Sequence, residues 1–551
     1  TDIPGGISVD MYISPDGQWV YYLQDQQGTE TGHFVRMPFE GGDPQDITPQ
    51  LPPYSPFGFM ISRSGNRIVL TAVHDNVYHV YCLDIDKDGK PGALREIHAG
   101  PQHMEGVCIS HDGDVVVVRS TECTGNLQFS LLAFNGSTGK QISELRDGSE
   151  SSLDIMLPSP LPGDPRLLAT TTRTGLESLL IWNPRTGERT DLSFENVTGA
   201  MRTYDWSPDG RRILFRTFNA AVQQLYIHDL TTGETTALRS PAGMHLSPCF
   251  SPDGTEIYSR WESATRRSSL IALSARTGEM LRTLIAAGEM PPGHELKSVT
   301  FPSSDGQVIQ AWLGIPDGTG PFPTVIDIHG GPETVRGNNF SPDTQAWLDH
   351  GFAYLAVNYR GSTTFGREFE QKIWSQPGYW EIEDLVAARD WLVEQNIAKA
   401  NAVFLTGWSY GGYLTLLGLG KRPEFWAGGM AGIAATDWAM SYEDAAENIR
   451  GWLVSLFGGT PEEKPEQYRV SSPITYVENV KAPVLIIQGR NDTIAPPRPV
   501  EVYESRMKAL GKEIEVFWYD TGHGGSFTSM DEAIRHQELM LRFAFRVLGH
   551  V

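Results

Sequence analysis

At 551 residues the chain is longer than one hydrophobic core normally serves, so at least two domains are expected. Its 44 Lys and Arg stand against 67 Asp and Glu, a net charge of −23, and a surface of that sign repels phosphate backbones and anionic lipid, which excludes nucleic acid and membrane surfaces as partners. With 40% hydrophobic and 10% aromatic residues the chain is expected to be globular throughout, and no apolar run approaches bilayer-spanning length.

The residues from Thr1 lack the basic start and apolar stretch of a signal peptide, although the sequence leaves open whether a leader has been removed. Cys82, Cys108, Cys123 and Cys249 fit no metal-ligand spacing and are expected to act as small buried hydrophobes. That usage agrees with a reducing compartment, and a cytoplasmic location is expected. Nothing in the sequence calls for a cofactor or a metal, and homo-oligomerisation stays open.

Residues 1–295 carry an internal repeat. An apolar residue, Ser, any residue, Asp or Ser, and Gly recur at Ile13–Gly17, Ile61–Gly65, Ile109–Gly113, Trp206–Gly210 and Phe250–Gly254, with a degenerate copy near Ser159–Gly163. Successive serines are 48, 48, 49, 48 and 44 residues apart, the period of one four-stranded propeller blade. Ser-Pro-Asp-Gly is a turn, with Pro fixing φ and Gly supplying a positive φ, and alternating strand follows it, as in Arg212–Arg216. Six copies allow six blades, or seven if one is assembled from both ends of the domain. A propeller can bind partners or restrict access, and the repeat alone does not decide between them; substrate gating is the expected role.

From Val299 the pattern becomes α/β, with the boundary around Pro291, Pro292 and Gly293, so that 296–551 is expected to form a doubly wound, mostly parallel sheet. Buried-strand runs fall at Thr324–Ile328, Ala353–Val357, Val403–Leu405, Met430–Ala434, Val484–Ile487 and Val516–Trp518, separated by helical patterns. In such sheets function collects at the carboxyl ends of the strands. Four of those ends carry His329-Gly330-Gly331-Pro332, Thr406–Tyr413 (TGWSYGGY), Gly489-Arg490-Asn491-Asp492 and Asp520–Gly525 (DTGHGG).

The second of these is a G-x-S-x-G nucleophile elbow between a strand and a helix, which makes Ser409 the candidate nucleophile. A serine hydroxyl needs a base, and His523 follows the last strand, where an α/β-hydrolase places it. The imidazole needs a carboxylate, for which Asp492 and Asp520 compete; the order Ser409, Asp492, His523 favours Asp492. The oxyanion is expected to receive hydrogen bonds from the amides of Tyr410 and, in the HGGP loop, Gly331, with His329 shaping that loop.

These segments together resemble the prolyl oligopeptidase family of serine peptidases, most closely its acylaminoacyl peptidase branch. The likeness covers nearly the whole chain and is strongest in HGGP (329–332), NYRGSTTFGREF (358–369), GWSYGGY (407–413), GRND (489–492) and GHGG (522–525). It implies a β-propeller followed by an α/β-hydrolase, seven blades in preference to six, and hydrolysis of short peptides that pass by or through the propeller. It also implies that Arg450 grips a substrate carbonyl oxygen while Trp438 and Tyr442 line the pocket beside the scissile bond.

Two departures from the family stand out. His329 occupies the place of an oxyanion-stabilising tyrosine found in other branches, and the helix that often precedes the propeller is missing or shortened, the first turn being already at Ser14. No paired glutamates of the dipeptidyl type are evident, which points away from substrates with a free amino terminus. The expected activity is serine hydrolysis of amide bonds in short or N-terminally blocked peptides through an acyl-enzyme. The alternative is an esterase or amidase acting on a small acyl-amide or ester metabolite with the same triad.

Overall fold

The computed structural model describes residues 11–25, 29–124, 127–289, 291–524 and 529–549. Among these, six four-stranded antiparallel sheets, each in sequential order, span 12–46, 55–100, 104–145, 153–191, 200–237 and 244–285. The first strand of each sheet packs against the first strand of the next from the second sheet onward, so the sheets are blades around a common axis.

Each repeat copy closes the turn after a blade's first strand. Ser207 Oγ donates to Asp209 at 2.6 Å and accepts the Arg212 amide at 2.8 Å, while Gly210 takes φ 72°. Ser251 does the same with Asp253 and Glu256. The degenerate copy is two residues longer, and Ser159 pairs with Asp164 and Arg166 instead.

Alternation within strands joins the blades. Val116 and Val118 pack with Ile109 and Val80 on one side, whereas Val115 and Val117 pack with Leu167 and Leu180 on the other. The blade number corrects the preference for seven: the six repeat copies account for one sheet each, and no strand of the described residues builds a further one. The cysteines also differ from expectation, for Cys82 and Cys108 are buried but Cys123 is half-buried and Cys249 exposed at an outward position of its strand.

The remaining strands form one sheet of eight: β1 Leu296–Pro302, β2 Val308–Gly314, β3 Phe322–Ile328, β4 Ala353–Asn358, β5 Ala398–Trp408, β6 Gly428–Gly432, β7 Val484–Gly489 and β8 Ile514–Tyr519. Their order is β1-β2-β4-β3-β5-β6-β7-β8, antiparallel from β1 to β4 across β2 and parallel from β4 to β8. Ile326, Leu355 and Leu405 pack on one face and Val325, Tyr354 and Phe404 on the other, the arrangement of a sheet covered on both sides.

β6 begins two residues before the apolar run expected at Met430. Gly428 and Gly429 lie against Phe404 and Leu419, where no larger side chain fits, and Ile433 leaves the strand at φ 41°. The NYRGST segment, which follows β4, owes its position to a buried ion pair. Arg360, 2% exposed, donates to Asp384, Asp305 and Ser303, and the Asp384 side chain is fully buried.

Removing one partner of such a pair leaves an uncompensated buried charge. Arg360→Met is expected to lower the stability of this half by about 3–5 kcal/mol, with much of the loss recovered in Arg360→Met/Asp384→Leu, as read from urea unfolding midpoints.

Candidate active site

β5 carries its apolar run to the middle of the sheet and stops at Ser409, where the helix Tyr410–Lys421 begins at once. Ser409 sits at φ 57°, ψ −119°, a left-handed backbone that side chains other than glycine rarely adopt. The neighbouring glycines are required by contact. A Cβ on Gly407 would lie 2.6 Å from both the Gly411 backbone and the Ile328 carbonyl oxygen, and one on Gly411 would collide with that same oxygen.

His523 Nε2 lies 3.0 Å from Ser409 Oγ, and His523 Nδ1 lies 2.8 Å from Asp492 Oδ2. The Asp492 side chain is fully buried, and its other oxygen accepts the amides of Ile494 at 2.9 Å and Ala495 at 2.8 Å. Asp520, the competing carboxylate, is 92% exposed and faces Arg490 at 3.4 Å. Burial pulls the His523 pKa down, but the Asp492 charge and hydrogen bond outweigh it, with a further contribution from Glu30, so the imidazole titrates above its ordinary value. Gly525, the last residue of GHGG, lies outside the described residues.

Glu30 comes from the first blade. Its amide donates to Asp25, and the adjoining Thr29 carbonyl accepts the hydroxyl of Thr493, the residue after Asp492. Burial pushes the Glu30 carboxyl up to about 7.

The HGGP loop leaves β3 directly opposite the elbow. A Cβ on Gly330 would lie 3.0 Å from the Trp408 carbonyl oxygen and 3.4 Å from Ser409 Cβ. His329 is 2% exposed, stacks on Tyr359 at 4.3 Å, and has its ring nitrogens 2.8 Å from the Gly330 carbonyl and from Ser362 Oγ. Burial drives its pKa down to about 3, so it is a neutral brace for the loop. Tyr410 stands in the first turn of its helix, where an amide has no helical acceptor, and its hydroxyl is tied to the buried Glu381 at 2.7 Å.

Gly331, Ser409 and Tyr410 open onto an apolar pocket of about 230 Å³ walled by Trp438, Trp452, Ile449 and, from the propeller, Phe57. Trp438 is thus beside the nucleophile. Arg450 and Tyr442 line a different recess, of about 210 Å³, which touches the first pocket at His103; Arg450 lies 3.7 Å from Glu447 on its own helix.

Beyond the apolar pocket lies a charged cavity of about 470 Å³ between propeller and hydrolase, sharing His103, Glu105 and Trp452 with it. Glu105 accepts from Arg119 at 3.0 Å and lies 3.2 Å from His103; despite the opposing effect of burial these hold it down at about 2. Glu333 follows HGGP directly, and burial together with the charge of Glu105 pushes it up to about 7. Glu370 is pushed up to about 8 by burial and by Glu177 and Glu333.

None of these acids was singled out in the sequence, yet a signal for Glu105 exists. The residue five before each turn serine from the second copy onward is Phe57, Glu105, Asp154, Arg202 or Leu246, and all five line a cavity facing the hydrolase. Repeats related by rotation about one axis put equivalent positions on one rim.

Residues 338–551 match the profile of the prolyl oligopeptidase family. Dipeptidyl aminopeptidase BIII of Pseudoxanthomonas mexicana is 29% identical over 252 residues, 41% of this chain and 35% of the relative. Acylamino-acid-releasing enzyme 1 of Oryza sativa subsp. japonica is 28% identical over 204 residues, 35% of this chain and 26% of the relative. The match therefore spans well under two thirds of either relative. In fold, the chain superposes on a Mycobacterium tuberculosis puromycin-hydrolyzing peptidase with a TM-score of 0.81 at 18% identity, covering 97% of this chain and 85% of that one. Ser409, Asp492 and His523 all lie within the 338–551 segment, under half of the chain, that is similar to the prolyl oligopeptidase family.

Proposed function

We propose that the protein hydrolyses amide bonds of short or N-terminally blocked peptides through an acyl-enzyme on Ser409, with residues 296–551 as the catalytic domain and 1–295 as a domain that limits access. The observation that carries this reading is the unbroken series from Ser409 Oγ through both nitrogens of His523 to Asp492, beside amides that face the same pocket. His523 takes the hydroxyl proton as Ser409 attacks, and Asp492 stabilises the imidazolium that results. The Gly331 and Tyr410 amides receive the tetrahedral oxyanion, and the imidazolium then protonates the departing nitrogen. Water repeats the sequence to release the acid. The apolar pocket beside Trp438 takes the side chain before the scissile bond. The acylamino-acid-releasing relatives support this reading.

A second reading concerns the other end of the substrate. Glu105 and Glu333 line the charged cavity beyond the acyl pocket, where Glu333 is accessible to an incoming cation and its carboxyl is raised by the protein that encloses the cavity and by the Glu105 charge. That favours substrates with a free α-amino group, in line with the dipeptidyl aminopeptidase relative, over blocked ones.

Ser409→Ala is expected to abolish labelling by a fluorophosphonate and to lower kcat by several orders of magnitude with the fold intact. Asp492→Asn is expected to lower kcat by roughly four orders of magnitude, and Asp520→Asn to change it little; equal effects would reassign the carboxylate.

The base must be neutral to act, so the labelling rate is expected to fall as pH drops through the His523 pKa, with a midpoint above the ordinary 6.5. Glu30→Gln should move that midpoint down, and Asp492→Asn should move it down further, since burial is then opposed only by the smaller contribution of Glu30.

A panel with one acyl residue presented as N-acetyl amide, free aminoacyl amide and simple ester separates the substrate classes. Turnover of the N-acetyl amide supports the blocked reading. Preference for the free amine, lost selectively in Glu333→Gln, supports the second, and turnover of the ester alone overturns both.

A further inference from the structure

Ser409 is flanked by two cavities that share no other residue, and the chemistry assigns them different halves of a substrate. The smaller one touches Tyr410 and Gly331 but not His523; it holds the acyl side. The larger, of about 730 Å³, touches His523 and Gly330 but neither oxyanion amide. In acyl transfer the imidazolium must reach the departing nitrogen, so the leaving group emerges on the His523 side, into the larger cavity.

That cavity is built from both halves of the molecule. Met244 and Glu262 come from the sixth blade, Trp408 from β5, and His536, Gln537 and Met540 from the helix Met530–Val547. His536 is 1% exposed and Gln537 7%. Among the described residues, Nδ1 of His536 and both amide atoms of Gln537 have no hydrogen-bond partner, although His536 Nε2 is 3.4 Å from Glu532. Buried polar atoms are seldom left without a partner, and these line an open space beside the reacting atoms. Burial keeps His536 neutral, so its ring carries one donor and one acceptor, as does the Gln537 amide.

The charged groups of the cavity do not suit an anion. Three carboxylates, Asp327, Glu262 and Asp343, face the space with one arginine, Arg336, whose Nη2 is paired with Asp327 at 2.7 Å and whose Nε has no partner among the described residues.

We propose that this cavity is a leaving-group site for an amine without a nearby carboxylate that presents an amide edge, such as an amino-acid amide or the interior of a peptide, read by His536 and Gln537. The proposal rests on the acyl-enzyme reading of Ser409 and adds an activity to it. An amine held here attacks the acyl-enzyme in place of water: the new C–N bond forms, the ester C–O bond to Ser409 breaks, and the amine proton passes through His523 to Ser409 Oγ. No other reactant is needed.

The test uses one acyl group, phenylalanyl, on two leaving groups, methanol and alanyl-alaninamide. In Gln537→Leu the ratio of kcat/KM for the peptide amide to that for the methyl ester is expected to fall about tenfold, the loss of one hydrogen bond from a buried partner. The methyl ester rate in the same variant reports whether it has folded with a working nucleophile. With wild-type protein, which needs no substitution, alaninamide added to the methyl ester reaction is expected to divert product to phenylalanyl-alaninamide, while free alanine does so far less.

An unchanged ratio, or diversion that is absent or equal for alanine and alaninamide, overturns the leaving-group site. Absence of ester turnover and of fluorophosphonate labelling at Ser409 in the wild type overturns instead the acyl-enzyme reading on which it rests.

Discussion

The site hangs on a contact between two backbones. Where Gly411 crosses the end of β3 there is no room for a Cβ beside the Ile328 carbonyl, and that closeness lets β5 turn into its helix in a single residue. Ser409 is the residue caught in the turn, held at a positive φ by structure on both sides. The same β3 end sends out the HGGP loop, so Ser409 and Gly331, whose amide is proposed to receive the oxyanion, are set by one packing arrangement. A larger residue at Gly411 would disturb both at once.

Around that contact, polarity is distributed by burial. Asp492 is accommodated in a fully buried position because two amides and an imidazole surround it. His329, equally buried but with no acid beside it, stays neutral and supports the loop. Two histidines, one after β3 and one after β8, thus have opposite titration behaviour, and the difference lies in their neighbours. The charges at the rim of the propeller follow the same rule. Glu105 is held ionised by Arg119, whereas Glu333 has no arginine within ion-pairing distance among the described residues and rises.

Much of this was legible in the sequence because it is local. The turn phrase Ser-x-Asp-Gly specifies its own hydrogen bonds, and so the blades could be counted; each intact copy closes a sheet as its residues require. The preference for seven came from the family likeness and not from the copies, and the copies were the better guide. Ser409, His523 and Asp492 were readable because each follows a strong apolar run. The acyl pocket was not, because Phe57, His103 and Glu105 reach it from a part of the chain some three hundred residues away from the nucleophile, with no motif of their own. The likeness led to Arg450 and Tyr442, which lie on two successive helices, Glu447–Phe457 and Trp438–Asp444, and line the recess at Tyr78 of the propeller. Contacts between distant segments are what a linear pattern does not carry.

The acyl pocket has walls from two bodies, joined at their rims by such bonds as Asn76 to Glu447 and Thr493 to Thr29. A chamber of that construction exists only while its halves touch. Any separation of the two would remove the wall they share, so the pocket can discriminate only while the halves are joined.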